Sequence, residues 1–155
     1  MSLPKVAVFA LAFVAILAAA PPAAADVTVN GAWVRGTVTG QKVTGAFMQL
    51  TSPTATALVS VTTPVAKTAE VHEMKNEGGV MRMKAVDRLA LPAATAVDLK
   101  PGGYHVMLFD LRQQLSEGDV VPMTLTFEDG AGRKSTVEVK ASVKALTAGT
   151  PGAKQ

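Results

Sequence analysis

The chain has 155 residues, with 15 basic and 12 acidic side chains and a formal net charge of +3. The basic residues are scattered, apart from Arg133-Lys134, so the charge pattern gives no reason to expect nucleic acid as a partner. There is no cysteine, which excludes a disulfide framework, a thiolate nucleophile and thiol–disulfide exchange by the chain itself.

In chain order, residues 1–25 have the layout of a secretory signal peptide. Lys5 supplies a positive start, Val6 to Ala20 is an unbroken apolar run, and Pro21-Pro22 end it. Ala23-Ala24-Ala25 then offers an A-x-A cleavage site, with cleavage expected after about Ala25. The competing reading is a membrane anchor. A spanning helix needs about 20 apolar residues, and the two prolines interrupt this run too early. No Cys follows it, so lipid attachment at such a residue is excluded. No membrane insertion is expected after cleavage.

The rest reads as strands. Val27–Val29 and Ala32–Val34 come first. Thr44–Thr51, Ala57–Thr63, Ala69–Lys75, Val80–Val86, Ala96–Leu99, Tyr104–Leu111, Val120–Phe127 and Ser135–Val143 follow. These runs are rich in Val, Thr and aromatics, and turn residues fall between many of them. Val121, Met123, Leu125 and Phe127 alternate with Pro and Thr, which puts one face in a core and one in water. Glu77-Gly78-Gly79 stands at hairpin spacing, Pro101-Gly102-Gly103 forces a turn, and Glu128–Gly132 is a second hairpin signal. No stretch sustains a helical period. The expectation is an all-β domain over 26–146, a β-sandwich or Greek-key barrel, with a flexible tail at 147–155.

Both histidines stand two residues before a methionine, in His72-Glu73-Met74 and His105-Val106-Met107. In a strand, residues i and i+2 project from one face, so each pair can aim at one point. Met81 and Met83 share a face of the strand between them. Thioether sulfur is soft and uncharged. It suits Cu(I) and binds Mg, Ca or Mn poorly, while zinc sites rarely use it. Without a Cys, a blue-copper electron-transfer site is excluded. The bland alternative is ordinary packing, with Met as core filler and His hydrogen-bonded on a strand. Met48 and Met123 fit that alternative, because both lie in hydrophobic alternation. Met74 and Met81 fit either. For His72, Met83, His105 and Met107, spacing alone leaves a metal site and ordinary packing equally balanced.

His72, ten residues, Met83, twenty-one residues, His105, one residue and Met107 together resemble the H-x10-M-x21-H-x-M signature of the PCu(A)C periplasmic copper chaperones. Gly31–Arg35, Gly79–Met83, Leu99–Leu108 and Glu117–Phe127 resemble that family's surrounding segments, so the similarity covers about residues 27–143. The resemblance implies a cupredoxin-like Greek-key β-sandwich in the periplasm, binding one Cu(I) per chain through His72, Met83, His105 and Met107. It implies delivery to the Cu(A) centre of cytochrome c oxidase subunit II, beside Sco-type thiol proteins, and no enzymatic activity. A monomer is expected. The tail carries neither His nor Met, so a second, Cu(II)-binding region is not expected. Affinity for Cu(I) is expected to fall below about pH 6, where free imidazole protonates. The rival readings are a periplasmic copper sequestration or resistance protein and a metal-free interaction module.

Overall fold

The computed structural model describes residues 26–149. The segment read as a leader, 1–25, and the end of the chain from 150 onward lie outside the described residues. Among the described residues, ten strands make up the regular structure: β1 (Thr28–Arg35), β2 (Val43–Thr51), β3 (Thr56–Thr62), β4 (Ala66–Glu77), β5 (Val80–Ala85), β6 (Leu89–Leu91), β7 (Ala96–Leu99), β8 (Tyr104–Leu111), β9 (Val120–Asp129) and β10 (Lys134–Lys144). Among the described residues no helix is long and apolar enough to cross a membrane.

The strands form one open sheet in the order β5-β4-β8-β7-β2-β1-β10-β9-β3-β6, with β8 also pairing β2. All pairings are antiparallel except β1 with β10 and the single β7–β8 pair. The ribbon folds over so that β3 meets β4. One core fills the space between its halves. Val71, Val106 and Leu108 come from one half, and Leu58, Leu125 and Phe127 from the other. Each such side chain contributes about 1.5–3 kcal/mol by leaving water. Met48 and Met123 belong to this core, as their alternation predicts.

The alternation fixes which way each strand faces. Val121, Met123, Leu125 and Phe127 are buried, and the residues between them turn away. On β8, Val106 and Leu108 are fully buried. His105 and Met107 therefore point to the opposite, outer side of the sheet.

Three departures from the sequence reading have local causes. The two short opening strands are one strand, β1, because a bulge at Gly31 (φ +59°) lets pairing with β2 resume after a register shift. A bulge adds a residue without ending a strand. β6 was not expected. Its three residues, between Arg88 and Pro92, are too few for a period to show, yet Leu89 and Leu91 are both buried. The domain also runs past residue 146. Ala148 N donates to Ala145 O at 2.9 Å, and Arg35 Nε donates to Ala148 O at 3.1 Å. Thr147–Gly149 are thus docked by a backbone turn and a guanidinium rather than being a free tail, with no apolar anchor needed.

Candidate metal centre

Cross-strand register assembles the site. On β4 and β8, His72 stands directly opposite His105. On β4 and β5, Met74 stands opposite Met83. On β8 and β2, Met107 stands opposite Gly45. Directly opposed residues share a face, and so do residues two apart on one strand. His72, Met74, Met83, His105 and Met107 therefore all lie on the outer face, backed by core residues such as Val71 and Val106.

A surface cleft of about 270 Å³ opens on this face. Its walls include Met74, Met83, His105 and Met107, with Phe47, Arg35 and Pro101 beside them. Three of the four expected ligands thus meet in one cavity, together with Met74, which the sequence left open. His72 is outside the lining. Its ring stands next to that of His105, with centroids 6.1 Å apart, and 5.8 Å from the ring of Phe109. Met81 is opposite Asn76, mostly exposed and away from the cleft. Among the described residues no third His, Asp or Glu joins the two imidazoles in a cluster able to hold an ion. The neighbouring donors are thioethers.

The turn at Pro101-Gly102-Gly103 sets the position of His105. Gly102 takes φ +84°, and Gly103 N donates to Lys100 O at 3.0 Å. The Gly103 carbonyl then accepts from Met74 N at 3.1 Å and lies 3.0 Å from His105 Nδ1. A carbonyl oxygen can only accept, so Nδ1 carries the hydrogen and Nε2 keeps its lone pair. Burial pushes the His105 pKa below the ordinary imidazole value. The Gly103 hydrogen bond works against that shift, and the nearby His72 and Arg35 add to it. A neutral imidazole with a free Nε2 is the form that binds metal.

The second wall is aromatic. A Cβ on Gly45 would lie 2.9 Å from Cζ of Phe47, so glycine is what lets that ring lie flat over β2. Phe47 stacks against Trp33 at 4.4 Å and stands 6.3 Å from His105. The Arg35 guanidinium lies 5.5 Å over the Phe47 ring, and Lys144 Nζ lies 5.1 Å over Trp33. A fixed positive charge at the cleft wall opposes any bound cation, and a doubly charged ion twice as strongly as a singly charged one.

Sequence reasoning did not single out Glu70, Arg35, Gly45 or Phe47 as parts of the site. Glu70 had a usable signal, since it precedes His72 by two positions and so shares its face of β4. Its Oε2 is 2.9 Å from His72 Nε2. His72 Nδ1 is buried and has no hydrogen-bond partner among the described residues.

Residues 27–143 match the family described as "Putative lipoprotein LpqE-like". The chain belongs to this family. The protein "Putative lipoprotein Lxx21020" of Leifsonia xyli subsp. xyli is 31% identical over 115 residues, 74% of this chain and 69% of that protein. Among solved structures, Cu(I)-DR1885 from Deinococcus radiodurans is 34% identical, with a TM-score of 0.58 over 74% of this chain and 75% of that one. The apo PCuAC domain of PmoF1 is 26% identical, with a TM-score of 0.61 over 77% of this chain and 93% of that domain. The LpqE-like chain thus has the cupredoxin-like, all-β fold of PCuAC domains.

Proposed function

We propose that this LpqE-like protein carries Cu(I) outside the cytoplasm and hands it on, with His72, Met83, His105 and Met107 as the ligands of one ion. The observation that carries the reading is the convergence of His105, Met83 and Met107 on one outer-face cleft beside His72. The related DR1885 was solved in its Cu(I) form on the same fold.

The donor set fits the ion. A metal–nitrogen bond of about 2 Å places an ion about 3.2 Å from each ring centroid. Two centroids 6.1 Å apart can therefore share one ion. The Nδ1 atom of His72 is buried and has no hydrogen-bond partner among the described residues, which fits a nitrogen that binds metal. All four ligands are neutral, so bound Cu(I) keeps its single charge, which an open cleft tolerates better than a dry core. Met83 is 47% exposed, so an incoming ligand can reach the ion before the last donor leaves. Exchange of this kind needs no redox change and no catalytic base, and the protein is read as a carrier, not an enzyme.

The leader read in residues 1–25 and the word lipoprotein in the names of its relatives support export. In the periplasm the natural acceptor is the Cu(A) centre of cytochrome c oxidase subunit II. Sco-type thiol proteins would supply the cysteine chemistry this chain lacks. The carrier is expected to act as a monomer. Anaerobic mixing of Cu(I)-loaded protein with an apo Cu(A) domain tests delivery. Transfer of about one equivalent supports it. Full retention of copper against an excess of that acceptor would point to sequestration instead.

A further inference from the structure

Glu70 and the two imidazoles carry an inference that rests on the copper reading and deepens it. We propose that Glu70 is a positioning residue, which holds His72 so that Nδ1 is its ligand atom while His105 binds through Nε2.

An ionised carboxylate only accepts hydrogen bonds. With Glu70 Oε2 at 2.9 Å, His72 Nε2 must carry a hydrogen. A neutral imidazole has one ring hydrogen, so Nδ1 then holds a lone pair. That atom is buried and no group among the described residues pairs with it. The His72 side chain is only 13% exposed, so water has little access to satisfy it. A structural ion pair would not require the other nitrogen to be buried without a partner. A ligand atom is commonly left in that condition, because the metal completes it.

His105 is the mirror case. Its Nδ1–H is taken by the Gly103 carbonyl, and Nε2 is the nitrogen left free. The two rings come from directly opposed positions on neighbouring strands. Each ring has one nitrogen tied to an oxygen acceptor, and the tied nitrogen differs between them. One acceptor is a backbone carbonyl fixed by a tight turn. The other is a carboxylate on a side chain that is 46% exposed and free to adjust. A carboxylate behind a metal-binding imidazole selects its tautomer, holds its orientation and makes the free nitrogen a stronger donor. Glu70 sits two residues before His72 on β4, so the strand itself places the pair on one face.

Long-range ¹H–¹⁵N correlation spectra of the ¹⁵N-labelled protein, recorded before and after one equivalent of Cu(I), read the tautomers directly. The expected apo spectrum shows His72 with its hydrogen on Nε2 and His105 with its hydrogen on Nδ1. Cu(I) should then move His72 Nδ1 and His105 Nε2. Glu70→Ala should mix the His72 tautomers and weaken Cu(I) by about ten- to hundredfold, with an unchanged melting temperature. Glu70→Gln keeps an acceptor oxygen and should restore both the tautomer and most of the affinity. A copper-induced shift at His72 Nε2, or a Glu70→Ala variant with wild-type tautomer and affinity, overturns the assignment. Silence of both rings on adding Cu(I) overturns the copper reading and this inference with it.

Discussion

Two methionines of the same chemistry have opposite surroundings. Met107 is on the outer face and lines the cleft, whereas Met48 is 4% exposed in the core. Met107→Ala is expected to weaken Cu(I) binding while the domain stays folded. Met48→Ala should cost about 2–5 kcal/mol of stability and leave copper binding nearly intact. Thermal melts and competition titrations on both variants check this, and the reverse pattern would contradict it. His105 makes a second prediction, about pH. Its folded-state pKa lies below the ordinary value, chiefly through burial. As pH falls below about 6.5, the unfolded chain takes up a proton that the folded chain still refuses. Stability of the apo protein should therefore drop on acidification through that window, and His105→Gln should make the drop shallower in urea titrations at stepped pH. The same shift refines the copper expectation. If copper binds there, acid should compete for Nε2 of His105 only at a lower pH than for a free imidazole.

The β4–β5 hairpin supplies Met74 and Met83 from an element that holds little of the core. Every residue of β5 is exposed. The hairpin is closed by Gly78 and Gly79, at φ +62° and +85°, joining the paired residues Glu77 and Val80. A two-residue loop with both φ positive is a type I′ turn, which matches the twist of the flanking strands. Asn76 Oδ1 accepts from Gly79 N at 2.8 Å and steadies it. A β-branched residue in that backbone region is strained by about 1–2 kcal/mol. Gly79→Val should loosen the hairpin and lower Cu(I) affinity severalfold, while the main thermal transition moves little. Hydrogen exchange is the direct check. Faster exchange confined to the ends of β4 and β5 is expected, and acceleration across β9 and β10 would show that the hairpin is part of the cooperative core after all. The hairpin was legible from its glycines and from the strands on either side. β6 was not, because three residues cannot display a period, and its burial comes from pairing with β3.

At the level of the whole molecule, the cleft and the core are separated by the sheet. The core occupies one face and the cleft the other, with only strand backbone between them. The apo protein is therefore expected to fold without copper, unlike small domains whose metal replaces a core. A Cu(I) chelator should leave the far-ultraviolet circular dichroism unchanged. Saturating Cu(I) should raise the melting temperature in proportion to the logarithm of free copper over its dissociation constant. Loss of strand signal on chelation would show that the metal holds the fold together. The docked Thr147–Gly149 segment also belongs to this scale. Arg35 joins it to the cleft wall through Ala148 O and the Phe47 ring. Arg35 lies at the end of β1 and its partner 113 positions later, a separation at which local composition carries no signal.

Strand period, the absence of thiols and the identity of the soft donors are local properties, and the chain determined them without help from its fold. So did the pairing of His105 with Met107, since a strand repeats every two residues. Whether His72 faces His105 depends on which strand lies beside β4 and in which register. That Met74 takes a place in the cleft wall depends on the same choice. Register is set by burying one face of each strand against distant residues, and a slip of one position would turn every donor into the core. Only the tertiary structure could settle it, because the energy that selects the register comes from the assembled core and not from any segment alone.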